Sequence, residues 1–308
     1  MKYTKIIVGV LATIAAFGAV LGNCDTTKEG NYEVRSSCYE GPSIKGIDVS
    51  YHQQSINWNE VRDDGIKFAF ARTSDSTTKI DPRFEENWVN IKKAGIVRGA
   101  YQFFRPNQDA EIQATLFVSM LNAVGGLEDG DLPPVIDIEV NGSMSNQRII
   151  DSVGIWIDYV EAATNRTPII YTGPSFWDSN NLGGSYSNYP LWIAHYTTKP
   201  CPWVPDSWGK WDFWQFTGNG YVNGVRTIVD INIFAGNSED LQRFIENSFI
   251  NIPDSGADVA KEADTGTGVD VYEDVIDDLP EDIKSICTQV VKSGVYKDRQ
   301  SFINEYFK

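Results

Sequence analysis

Between residues 44 and 172 the chain alternates short apolar runs with amphipathic stretches, and no other feature restricts its fold as much. The runs at 44–50, 68–72, 97–104, 134–140 and 168–172 have the length and composition of strands. The stretches at 57–64, 83–94, 109–124 and 147–163 carry apolar residues at helical spacing. A strand–helix alternation of this kind predicts a parallel sheet with helices packed outside it. After residue 172 the pattern changes. Strand-like runs continue at 191–195, 213–216 and 225–231, but the segments joining them are rich in Gly, Pro, Ser, Asn and Trp and carry no long helix. About eight strands within about 200 residues fall short of the ~250 residues of a complete (β/α)8 barrel, so an incomplete TIM-like α/β barrel is expected, with helices missing from its last third. An open doubly wound sheet is the alternative, but the Gly-rich first turn that would mark a nucleotide site is missing from it.

The ends of the chain read differently. Residues 1–23 resemble an export signal: Lys2 and Lys5 precede an uncharged run over 6–22, which is short for a membrane span. A lipoprotein signal acylated at Cys24 and a retained membrane anchor are the rival readings. All three place the rest of the chain outside the cytoplasm, periplasmic or secreted. Residues 24–43 form an N-terminal extension, 44–250 the barrel domain, 251–282 an acidic linker and 283–308 a short helical tail. Within the linker, residues 254–282 hold eleven acids and one Lys, too much charge to bury. The four cysteines, Cys24, Cys38, Cys201 and Cys287, suit an oxidising compartment. Cys201 lies in a Pro-flanked loop and Cys287 on the apolar side of the first tail helix, so they are expected to pair. Cys24 and Cys38, close together ahead of the barrel, would form the second bond.

Composition removes several function classes. A formal charge of −16 disfavours nucleic-acid binding, which needs a basic surface. The only histidines are His52 and His195, and HExxH, paired CxxC, GxGxxG and Walker motifs are lacking. No metal and no cofactor are therefore expected. Carboxylates and aromatic rings are what remain abundant, and both suit carbohydrate chemistry.

Acids at strand ends carry the main functional signal: Asp48 in GIDVS, Asp137 and Glu139 in PPVIDIEV, and Asp230 in VDIN. Each lies in an apolar strand, where charge is costly to bury. On a strand, residues 137 and 139 face one side, with Cα atoms roughly 6–7 Å apart, while Ile136 and Ile138 face the helices. Two carboxyls sharing a face cannot both ionise cheaply, so one pKa should rise, as acid catalysis of glycosidic cleavage requires. The plainer reading pairs these acids with Arg72, Arg98 or Arg105. Three strands ending in acids, one of them with a D-x-E pair, favour a catalytic cluster.

GIDVS at 46–50, GAYQFFRP at 99–106, PPVIDIEV at 133–140, IIYTGPSFW at 169–177, LWIAHY at 191–196, WQF at 214–216 and VDIN at 229–232 occur in order. Together they resemble the Chalaropsis-type lysozymes, the muramidases of glycoside hydrolase family 25, over about two thirds of the chain. The resemblance implies a (β/α)5 barrel followed by three β-strands. It also implies hydrolysis of the β-1,4 bond between N-acetylmuramic acid and N-acetylglucosamine in peptidoglycan, with glycan strands as the partner. The protein is expected to act as a monomer. By motif, Glu139 resembles the general acid and Asp137 its partner carboxyl, while Asp48 and Asp230 match the remaining family acids. Nucleophilic attack by Asp, base-activated water and substrate assistance are all compatible with these residues, and the last is favoured. Tyr101, Tyr171, Trp192 and Trp214 are expected to bind sugar, and Trp156 to pack in the core. Trp203, Trp208 and Trp211 could form a groove wall or a hydrophobic knot. Gln102 stands where many relatives have His.

Three rival functions stay open on the sequence. A non-catalytic peptidoglycan-binding protein is opposed by the retention of all four acids. A chitinase is opposed by the lack of a DxxDxDxE strand signature. A muramidase preferring deacetylated peptidoglycan is favoured by the negative charge, yet deacetylation would remove the acetamido group needed for substrate assistance.

Overall fold

A computed structural model describes residues 38–250. The export signal, most of the N-terminal extension, Cys24, the acidic linker and the helical tail with Cys287 lie outside these residues. Eight strands close into a barrel: β1 (Ile44–Val49), β2 (Phe68–Asp75), β4 (Val97–Phe103), β5 (Val135–Asp137), β6 (Ile169–Thr172), β7 (Leu191–Ala194), β8 (Phe213–Gly220) and β9 (Val229–Phe234). Closure comes from β1, which pairs parallel with β2 on one side and antiparallel with β9 on the other. All other neighbours are parallel except β8 with β9, so only β9 runs against the rest. A short β3 (Lys79–Ile80) folds back on the end of β2. Helices α1 (Trp58–Asp63), α2 (Phe84–Lys93), α3 (Ala110–Ala123), α4 (Asn146–Thr164) and α5 (Pro174–Ser179) follow β1, β3, β4, β5 and β6 in turn.

Strand parity separates two cores. Ile47, Ala69, Ala71, Ile136, Ile138, Ile170 and Ile193 point outward against the helices. Phe68, Phe70, Val135, Ile169, Trp192 and Phe213 point inward and fill the barrel. Room for the inner rings is made by glycines on the flanking strands. A Cβ on Gly46 would stand 2.3 Å from the Phe68 ring, and one on Gly99 would stand 2.4 Å from Phe70. The expectation that Ile136 and Ile138 face the helices is met.

Two features depart from the sequence reading. The first is α6 (Ser238–Glu246), a helix after the last strand that the sequence reading does not place. It starts with a capping box, in which Asn237 and Asp240 each accept the other's backbone N–H. It buries Leu241 and Ile245, and Phe244 meets Phe213 and Phe234 edge-on at one end of the barrel. The second is the disulfide, which joins Cys38 to Cys201 with Cα atoms 4.9 Å apart. Both expected pairs, Cys201 with Cys287 and Cys24 with Cys38, are thereby overturned, because each needs a sulfur already bonded elsewhere. The physical reason is that the segment before β1 packs on the loop after β7, as the contact of Tyr39 with Trp211 shows.

Candidate active site

The C-terminal ends of the parallel strands and the start of the reversed β9 surround a cavity of about 270 Å³. Asp48 from β1, Asp137 from β5, Glu139 just past β5 and Asp230 from β9 all line it. Asp48 and Asp230 are directly opposite in the β1–β9 ladder, which sets their side chains on one face. Expected to lie within the strand, Glu139 instead falls beyond its end, yet it shares the cavity with Asp137.

The three arginines that might have neutralised these acids are each paired with another carboxyl, although Arg72 lines the same cavity. Arg72 pairs with Asp81 at 3.0 Å, Arg98 with Asp131 at 2.8 Å, and Arg105 holds both oxygens of Asp75 at 2.5 and 2.9 Å. The four carboxyls therefore face one another with little compensation. Burial, then the nearby Asp230 charge, push Asp48 up to about 8. Burial and then Glu139 hold Asp137 well above the usual carboxylate range. Asp137 Oδ1 is moreover buried without a hydrogen-bond partner among the described residues, which disfavours its ionised form. Glu139 stands in the cavity mouth. Its pKa is raised by the enclosing walls and then by Asp230, against a smaller opposing pull from Arg105. Asp230 is raised by burial.

A network beneath the acids sets their orientation. Asp48 Oδ2 accepts from Gln215 Nε2 at 2.9 Å and from Asn232 Nδ2 at 2.8 Å. Gln215 Oε1 accepts from the hydroxyls of Tyr171 at 3.0 Å and Tyr196 at 2.8 Å, while Asn232 Oδ1 accepts from Trp192 Nε1 at 2.8 Å. Each amide thus has its oxygen occupied by aromatic donors and its nitrogen aimed at Asp48, which fixes the amide flip.

Of the aromatic residues expected at the site, Tyr101, Tyr171 and Trp192 line the cavity, with Trp192 stacked on Phe70 at 4.4 Å. Trp214 does not. It lies on the outer face of β8 between Trp211 and Phe216, and its indole donates to the His195 carbonyl. Its neighbour Gln215 faces inward in its place. Trp208 packs against Trp177 at 4.7 Å and Trp211 against Tyr39 and Trp214, so these two form a hydrophobic knot. Trp156 is fully buried, as expected, and donates to Gln102, whose amide also reaches Ser74. The Gln102 departure therefore lies outside the barrel lumen. Sequence reasoning missed Gln215, Asn232 and Tyr196, all of which occur in the quoted motifs. The signal available for Asn232 was its spacing of two from Asp230.

The glycosyl hydrolases family 25 model matches residues 47–225, more than half of the chain. The chain belongs to that family. A relative, lysozyme M1 of Streptomyces globisporus, is 37% identical over 215 residues, covering 67% of this chain and 72% of its own. The protein YegX of Escherichia coli strain K12 is 39% identical over 66% of this chain and 74% of its own. Among solved structures, the bacterial lysozyme from Streptomyces coelicolor superposes with a TM-score of 0.63 at 33% identity, over 68% of this chain and all of its own. This family 25 protein is a glycoside hydrolase of the lysozyme and muramidase class, and its substrate class is peptidoglycan. Among the described residues there is no group of three His, Cys, Asp or Glu side chains arranged to hold a metal.

Proposed function

We propose that this family 25 enzyme is an exported, monomeric N-acetylmuramidase that cleaves the β-1,4 bond between N-acetylmuramic acid and N-acetylglucosamine. The observation that carries this reading is the convergence of Asp137 and Glu139 with Asp48 and Asp230 in one barrel-end cavity. Glu139, at the mouth with its pKa raised by burial and then by Asp230, donates a proton to the glycosidic oxygen as that bond breaks. Asp137 accepts the acetamido N–H of the reacting sugar and aligns the acetamido oxygen on the anomeric carbon. That oxygen forms the new bond as the leaving sugar departs. Water then attacks the same carbon, the bond to the acetamido oxygen breaks, and a proton of the water passes to the Glu139 carboxylate, restoring the acid. Asp48 and Asp230 keep the cavity rich in acceptors as positive charge develops on the ring.

Export is supported by the Cys38–Cys201 bond, which persists in oxidising compartments. With Cys38 committed to Cys201, acylation of Cys24 would leave Cys38 with its partner, so a lipid anchor is compatible with the disulfide. Turbidity clearing of purified sacculi tests the catalytic reading. Glu139→Gln should lose about 10²–10⁴-fold in rate while still sedimenting with the polymer. Retention of more than about a tenth of the rate would reject Glu139 as the acid. Clearing by neither protein would leave a polymer-binding protein instead.

A further inference from the structure

A second cavity, of about 310 Å³, adjoins the first and shares Glu139, Tyr171 and Tyr196 with it. Its remaining wall includes Phe176, Ala194 and His195. A general acid faces the oxygen of the bond it breaks, so the two sugars joined there occupy the spaces on either side of it. Asp48, Asp137 and Asp230 line only the first cavity. Positive charge develops on the ring whose anomeric carbon reacts, so that ring belongs with the carboxyls and the leaving sugar belongs in the second cavity.

His195 is half-buried just past the end of β7. The backbone N–H of Trp203 donates to its Nδ1 at 2.9 Å. A neutral imidazole that accepts at Nδ1 carries its proton on Nε2. Burial, and secondarily the Lys199 charge, hold the imidazole below its ordinary pKa and favour this neutral form. Among the described residues no acceptor engages Nε2. The loop that supplies the Trp203 amide is itself tied at Cys201 to Cys38, so the ring is held from a braced segment.

We propose that His195 binds the leaving sugar, its Nε2–H donating to a hydroxyl or acetamido oxygen held in the second cavity; this rests on the muramidase reading above. The ring is a substrate-binding group and takes no part in proton transfer to the scissile oxygen.

Two variants separate donation from support of the loop. Asn at 195 retains a near acceptor for the Trp203 amide and loses the far donor. Gln at 195 places an amide donor near the Nε2 position. On soluble glycan fragments of alternating N-acetylglucosamine and N-acetylmuramic acid, His195→Asn should lower kcat/KM by about three- to tenfold, mostly through KM, the effect of one neutral hydrogen bond. His195→Gln should recover much of that loss. Equal kcat/KM in wild type and His195→Asn would overturn the assignment, and so would an equal loss in both variants. Glu139→Gln, run alongside, keeps the two claims apart. If it loses turnover while His195→Asn matches wild type, only the His195 assignment fails. A wild type that does not cleave the fragments overturns the muramidase reading and this inference with it.

Discussion

Asp48 is a buried carboxyl whose chemistry departs far from that of a free one. One of its oxygens accepts from two amides, and the group faces Asp230 across the strand pair. Amide donors favour the ionised form, but burial and the Asp230 charge outweigh them, and the pKa reaches about 8. The native protein therefore keeps a proton that the unfolded chain releases near the ordinary Asp value of 3.8. The stability this contributes is full below 3.8 and is lost as pH rises toward about 8. Asp137, Glu139 and Asp230 shift the same way. Asp75 behaves oppositely: burial pushes it up, but Arg105 outweighs burial and lowers it, so its contribution disappears in acid. Asp48→Asn removes the ionisation at nearly constant shape. Its thermal midpoint relative to wild type should rise steadily between about pH 4 and pH 8. A difference that stays flat across that range would show that Asp48 ionises normally in the fold.

At the scale of elements, the loop between β7 and β8 combines several roles. It carries Cys201, the Trp203 amide that orients His195, and Trp208 and Trp211 of the aromatic knot. Its disulfide joins positions 163 residues apart. In the chain-entropy model, a closed loop of that size gives about 5 kcal/mol, and native bonds typically contribute about 2–4 kcal/mol. Replacing Cys38 and Cys201 together by Ser should lower the unfolding free energy in guanidinium by about 2–4 kcal/mol while the barrel still folds. An unchanged denaturation midpoint would mean that the aromatic knot alone holds the segment. In the unreduced wild type, neither cysteine should be alkylated.

At the scale of the whole molecule, charge and mechanism pull the substrate preference in opposite directions. With a net charge of −16, the protein attracts cationic, de-N-acetylated glycan at low salt. Deacetylation, however, removes the acetamido oxygen that the proposed substrate-assisted mechanism uses as its nucleophile. Losing an intramolecular nucleophile costs far more than surface attraction screened over about 10 Å at 0.1 M salt can restore. Acetylated sacculi should therefore be digested more than about tenfold faster than deacetylated ones, at both low and high salt. Faster digestion of the deacetylated wall at low salt would reject substrate assistance.

The alternation over 44–172 determined the strands, the helices and the inward parity of Asp137, because a strand with one face in the lumen and one against a helix repeats every two residues. It also made Asp48, Asp137 and Glu139 legible, and the apolar run at 225–231 did the same for Asp230, since carboxyls in apolar strands stand out from their surroundings. The β8 segment offered no such contrast. Phe213, Trp214 and Gln215 are all buried, so nothing in their order says which faces the lumen. Barrel closure decided that. It brought Gln215 and Asn232 to Asp48 from 167 and 184 residues away in the chain, and strand register, not local pattern, selects such partners. The helix α6 has a capping box and two spaced apolar residues in sequence, but only the open barrel end explains why it packs where it does. Cysteine pairing likewise depended on which segments tertiary packing brings together, and four cysteines allow three pairings that sequence spacing cannot rank.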